Sequence, residues 1–487
     1  MVRSTSQEIE SRSVTSSESI STRSQGLSVD VAPFARTLIR GLFGVTVLLS
    51  VALVKWNVAG IPVRSMTAVL LLLVVAAFRL DVIAASIRES WTLLCIIALA
   101  ALIGTISSAM NSNDPAFVAR QLVEIHVQAM VGTIVGVTVR RTCGARTILA
   151  AFAVGVGLSA LAAVLQFMDI GLASSARRFL NSFQQQEVQR EFFFSGGNRP
   201  AGLSYSAVLL GTQLCLLFAT IYADRLRTLG EGLFRKPDAP LLLTLLLLAG
   251  ASIVSGNRSP LLGMICFTIL YFWFAQRRTA FFLIAIAIAA YPMVLMLPEL
   301  LRGLGLRVGE TEDSSAVGRV VLQVYGLMLF AARPYGYGLA FDSTEHWLGF
   351  WAYLKGFDNA QAITWHALHN YYLMVINKYG VPILLVGIFV VRILARYRWA
   401  ALGFVPYLIH ICFHNDGPLQ GDFFIWYVIP MFAGTARLSL RRPDDLAHSG
   451  GAATRPWHYS PSRNSQSSAM PLRSGIGSVG TGRMANE

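Results

Sequence analysis

The chain has 487 residues, 54% of them hydrophobic and 14% charged, with a mean hydropathy of +0.55. That composition excludes a soluble globular domain and calls for a polytopic membrane protein, whose spans each take about 20 apolar residues. The formal net charge of +14 gives no reason to expect nucleic acid as a partner, because the lysines and arginines lie in short loops between apolar runs and in the two tails, where membrane topology accounts for them.

Residues 1–32 are rich in Ser and Arg without an apolar core, so they read as a disordered tail and not as a cleavable signal peptide. Apolar runs follow near 37–54, 65–78, 91–110, 117–139, 147–168, 201–222, 240–254, 260–276 and 279–297. Three more lie near 371–391, 399–413 and 423–435. The expected fold is therefore all-α, with about twelve transmembrane helices: nine within 33–297, a large polar loop over 298–370, and three within 371–440. Residues 441–487, rich in Ser, Gly and Arg, read as a second disordered tail. The five cysteines are scattered and imply neither a disulfide framework nor a CxxC metal pattern.

Placing the amino terminus in the cytoplasm puts Arg79, Arg88, Arg140, Arg141, Arg146, Arg277, Arg278 and the arginines of 392–398 and 437–442 on one side, as the positive-inside rule requires. Both tails are then cytoplasmic, and the loops 111–115, 169–200, 298–368 and 414–422 face outward. Within the largest loop, Gly318–Phe330 has apolar residues at helical spacing and reads as an amphipathic helix at the interface. The turn Arg333-Pro334-Tyr335-Gly336-Tyr337-Gly338 follows, with glycines that let backbone come close to something.

Chemistry concentrates on the outward face. In His366-Ala367-Leu368-His369-Asn370-Tyr371 a polar loop runs into an apolar span, and an imidazole there can accept and release a proton near neutral pH. Anchoring of the ring at headgroup depth is the competing reading. Arg199, Arg258 and Arg319 each stand as a lone charge among small or apolar residues at the edge of a span. A guanidinium fork suits a diphosphate, with snorkelling to the interface as the alternative. Arg199 and Arg258 also share the context Gly-Asn-Arg. Arg120 and Glu124, four residues apart, read as a structural pair on one helix face, and His126 as a hydrogen-bonded core residue. His346, His366, His369, His410 and His414 include no HExxH pattern, so no metal site is expected. With no P-loop and no dinucleotide fingerprint, no cofactor is expected either, and the energy for any reaction has to arrive in the substrate.

Taken together, His369-Asn370 with Gly380 beyond it, Gly318-Arg319 with the 333–338 turn, Ser255-Gly256-Asn257-Arg258-Ser259 and Asn198-Arg199-Pro200-Ala201-Gly202 resemble the O-antigen ligase and polymerase superfamily. These are bacterial membrane glycosyltransferases with a GT-C-like helical fold that use undecaprenyl-diphosphate-linked glycans. The resemblance spans roughly 199–422 by motif. It departs from the family pattern at Val381-Pro382-Ile383 and at Lys378. It implies a metal-independent inverting transfer at the periplasmic face of the inner membrane, in lipopolysaccharide or exopolysaccharide assembly. Arg199 and Arg258 would hold the diphosphate and His369 would activate the acceptor hydroxyl. Arg319, Gly336, Gly338, Asn370, Tyr371 and His366 would shape the sugar site. The acceptor would be a lipid A-core sugar for a ligase, or another lipid-linked repeat unit for a polymerase. A secondary transporter or flippase using Arg120, Glu124 and His126 at mid-depth is the reading of another class.

Overall fold

The computed structural model describes residues 33–58, 61–184, 199–230, 232–235, 237–275 and 314–432. Both tails, the apolar run 279–297 and the first part of the large loop lie outside them. The described residues are almost entirely helical, with a single pairing of two-residue strands, Asn57–Val58 with Ile61–Pro62.

Helix α1 (Pro33–Ala52) leads through that hairpin into α2 (Val63–Met110). A straight helix would put Arg64 and Ser107 about 65 Å apart. Yet the Arg64 guanidinium lies 5.5 Å from the Phe423 ring, Ser107 Oγ donates to the Lys378 carbonyl at 3.4 Å, and Lys378 Nζ donates to Gln420 at 2.9 Å. Both ends of α2 thus meet the 420–423 loop. The helix must double back, and it does so at Arg79, whose φ −155, ψ 74 is the one non-helical conformation inside it. The expected runs 65–78 and 91–110 are the two arms of this element.

Next come α3 (Pro115–Gln121), capped by Asp114 and continued by a π-helical stretch Leu122–Val127, and then α4 (Gln128–Cys143), α5 (Ala145–Phe167) and α6 (Gly171–Ser182). Helix α7 (Ala207–Leu229) starts six residues later than the apolar run from 201 implies, because 201–206 form a turn and Ser206 caps the helix by accepting from Leu209 N. It is the central helix: 78% of its apolar window is buried inside the protein, against 22% for α2. Helices α8 (Ala239–Val254) and α9 (Arg258–Ala275) follow. Among the described residues five elements are long and apolar enough to cross a membrane: α1, α2, the run from α3 through α4, α5 and α7.

The carboxy-terminal apolar runs are more broken than their composition implies. Residues 371–391 divide into α11 (Tyr371–Tyr379) and α12 (Ile383–Arg396), because Gly380 sits at φ +72 and Pro382 follows. The run 399–413 yields one helical turn, Arg398–Leu402, and α13 (Val405–Ile411). From 423 onward a turn of α-helix passes into a 3₁₀ segment, Ile429–Phe432, containing Pro430.

Helix α10 (Ser314–Ala332) answers to the expected amphipathic helix. Its apolar stripe of Val321, Leu322, Tyr325 and Leu329 is buried against Tyr337, Phe341, Leu354, Ile363, Leu368 and Met374. The segment from α10 to Met374 therefore carries a small core of its own. Tyr325 Oη donates to the Ser343 carbonyl at 2.6 Å, and Ser343 Oγ accepts from Leu368 N at 3.2 Å. These bonds fix the short stretch that presents His366 and His369.

Candidate functional site

His369 lies between the anchored Leu368 and the first turn of α11. Asn370 caps that helix, its Oδ1 accepting from Leu373 N at 3.1 Å, which fixes the backbone direction as the chain leaves the imidazole. The His366 and His369 rings sit 5.7 Å apart. Burial first, and then the positive charge of Arg319 and neighbouring His366, push the His369 imidazole down from its ordinary 6.5 to about 4. Charge is costly in such a place, so the ring is neutral at pH 7 with a lone pair to offer.

A second imidazole faces the same region. His414 is buried and held well below its ordinary value by desolvation, then by the charges of His410, Arg319, His369 and Arg199. Arg199, Arg319, His369 and His414 thus share one electrostatic neighbourhood, although they lie on the 199–202 turn, α10, the 366–370 loop and the 414–422 loop. His414 Nε2 and His410 Nδ1 are both 2.9 Å from Ser259 Oγ, and His410 Nε2 is 3.0 Å from Thr212 Oγ1. This chain ties α9 to α13 and the central α7.

Each arginine is placed by a local device. Gln166, at the end of α5, accepts from Ala201 N at 3.1 Å and Gly202 N at 2.9 Å while donating to the Gly202 carbonyl at 2.9 Å. Arg177 Nη1 donates to the Arg199 carbonyl at 2.8 Å. Gly202 has φ +63, and a Cβ there would stand 1.9 Å from the Ser159 carbonyl oxygen, so only glycine fits this turn. Arg258 is the first residue of α9. The turn before it is held by Asn257, whose amide donates to Ser255 Oγ at 3.0 Å and also to the Ala207 carbonyl. Arg258 is exposed, and Ser259 beside it bonds both histidines.

Other residues expected in a sugar site serve the framework. Gly336 (φ +84) and Gly338 (φ +89) do allow close approach, but to the protein's own backbone: Tyr337 N and Gly338 N donate to the Asn377 and Lys378 carbonyls, and Val381 N donates to the Pro334 carbonyl. Asn111 and Asn113 clamp the same turn by donating to the Gly336 and Tyr337 carbonyls. The Asn370 carboxamide is committed as a cap. Tyr371 is buried, with its Oη accepting from Leu419 N at 3.1 Å. The Arg120–Glu124 pair closes at 2.8 Å, and His126 is bonded to Tyr379 Oη at 3.2 Å. Among the described residues, no three His, Cys, Asp or Glu side chains are grouped to hold a metal ion.

In the sequence His410 and His414 stand on the expected outward side without a role, Ser259 stands only as part of the motif around Arg258, and nothing marks Gln166. The usable signal was the four-residue spacing of the two histidines, which keeps them close along the chain: His410 lies in α13 and His414 in the bend beyond it, with ring centroids 4.5 Å apart.

Residues 243–390 match the family model described as O-Antigen ligase. The match takes in Arg258, Arg319 and His369 and ends before His410 and His414. No curated protein matches the chain.

Proposed function

We propose, from the match of residues 243–390 to the O-antigen ligase family model, that this chain is one of the O-antigen ligase/polymerase superfamily and that it moves a glycan from undecaprenyl diphosphate to a sugar hydroxyl at the periplasmic face of the bacterial inner membrane. In this reading the remaining apolar segments complete a GT-C-like bundle of about twelve spans, with both termini cytoplasmic. His369 takes the proton of the acceptor hydroxyl. The acceptor oxygen then attacks the anomeric carbon, the carbon–oxygen bond to the diphosphate breaks, and the electron pair leaves on the diphosphate. Arg199 and Arg258, aided by Arg319, hold that charge in the role a metal plays elsewhere. The proton passes from the imidazole to water. A ligase delivers the glycan to a lipid A-core sugar, and a polymerase to another lipid-linked repeat.

The observation that supports this reading most is the half-buried, neutral imidazole of His369 in the field of Arg319, with Arg199 acting on the adjoining His414. The arrangement also explains how a weak base becomes useful. Burial, and after it the positive charge of Arg319 and His366, holds His369 down; a bound diphosphate offsets the second cause, so the imidazole gains basicity when donor is present.

The test is transfer by purified protein supplied with lipid-linked glycan and acceptor. His369→Ala is expected to lower the rate roughly a hundredfold or more, and Arg258→Lys to be poor because an ammonium is a point charge where a fork is needed. Normal rates in both His369→Ala and Arg258→Ala overturn the assigned roles.

A further inference from the structure

At the end of the helices away from His369, a groove of about 1020 Å³ opens between α1 and α5. Its wall is Gly41, Gly44, Val45 and Leu48 of α1 against Ala150, Ala151, Val154 and Leu158 of α5. Arg40, Arg146 and Arg227 stand at its mouth. Arg227 pairs with Asp224 at 3.1 Å, whereas Arg40 and Arg146 have no acidic partner among the described residues. The first turn of α5 also borders the groove: Gly144, at φ +87, begins that helix without a side-chain cap, and Ala145, Arg146 and Thr147 follow along the lining. Helix amide groups and guanidinium forks thus line the same groove, and these are the groups that bind phosphate. Beside them the wall is apolar and notched. A Cβ added at Gly41 or Gly44 would meet nothing within 4 Å, so those glycines leave open space and do not serve close packing.

We propose that this groove is a site for an anionic phospholipid of the membrane leaflet on the arginine-rich side, with its phosphate held by Arg40, Arg146 and the start of α5 and an acyl chain lying along Gly41 and Gly44. The charge argues for an anionic headgroup over a zwitterionic one, because the mouth offers three cations and the single carboxylate of Asp224. Basic pockets between membrane helices on the inner side hold anionic lipid in this way. The site is separate from the His369 region and does not depend on the reaction assigned there.

The test uses the full chain, purified in detergent and titrated with phosphatidylglycerol or phosphatidylcholine, with bound lipid read by native mass spectrometry. Wild type is expected to retain phosphatidylglycerol over phosphatidylcholine. Each arginine contributes about fivefold in affinity, so Arg40→Gln with Arg146→Gln is expected to weaken phosphatidylglycerol binding about 25-fold. Arg88→Gln, an exposed arginine outside the groove, is expected to change nothing. Gly41→Leu with Gly44→Leu fills the notch and is expected to reduce lipid retention in a protein whose thermal midpoint stays near wild type. Equal retention of the two lipids, or an Arg88→Gln loss as large as that of the paired groove variant, overturns the proposal.

Discussion

Gly202→Ala tests whether the turn behind Arg199 sets the reaction geometry. The alanine Cβ would stand 1.9 Å from the Ser159 carbonyl oxygen, where ordinary contact begins near 3.4 Å. Either the turn or α5 must therefore give by about 1.5 Å. Ser159 lies in the middle of a regular helix and its hydroxyl accepts from Leu203 N at 3.1 Å, so the turn is the part that moves. It carries Arg199 with it, three residues away. A displacement of about 1 Å at a reacting centre costs on the order of a hundredfold in rate. Left-handed backbone at a residue with a Cβ adds about 1–2 kcal/mol of local strain. The assay is the initial rate of glycan transfer by purified variants, beside their thermal midpoints. Gly157→Ala is the control, since a Cβ there meets nothing within 4 Å and alanine favours the helix. A Gly202→Ala protein that transfers at the wild-type rate refutes the placing of Arg199 by this turn.

The acid limb of kcat/KM, which reports the empty site, is expected near pH 4, and that of kcat, which reports the donor complex, at higher pH. Arg319→Gln is expected to raise the first limb toward 6.5, because it removes the cation acting on His369. Identical limbs in all three measurements contradict the field described here. Stability has its own pH dependence. His369 and His414 are held neutral by burial, so between about pH 6.5 and 4 the unfolded chain binds more protons than the folded one, and stability falls as pH drops through that window. Thermal midpoints across it, with His414→Gln flattening the fall, check the sign. Gly380→Ala is expected to destabilise by more than about 2 kcal/mol, since its Cβ would lie 2.2 Å from the Tyr335 carbonyl carbon at φ +72; denaturation midpoints measure it.

Helices were legible wherever a long apolar run carried no proline in its interior, as in α1, α5 and α7. The reversal of α2 was legible as two separate runs, because Arg79 and Asp81 interrupt the apolar pattern. The breaks after 371 were harder to read. Gly380 and Pro382 were in plain sight, but hydropathy sums over such residues and takes no account of a left-handed backbone. At the site, lone arginines and the His369 loop stood out by chemistry and by edge position. The roles of Gly336 and Gly338 did not, because a glycine that lets backbone approach looks the same in sequence whether the visitor is a sugar or α11. The bonding roles of Ser259 and Gln166 were illegible for a related reason: an uncharged polar residue acquires its meaning from partners such as His410, His414 and Gly202, which only the fold supplies.

The proposed transfer needs His369 and Arg199 at a single reacting centre, and a double-variant cycle measures this directly. Transfer rates are compared for wild type, His369→Ala, Arg199→Ala and the double variant. Groups acting on one transition state lose activity non-additively, so the double variant is expected to be little slower than the worse single one. Losses that simply multiply, or a His369→Ala protein at full rate, contradict it.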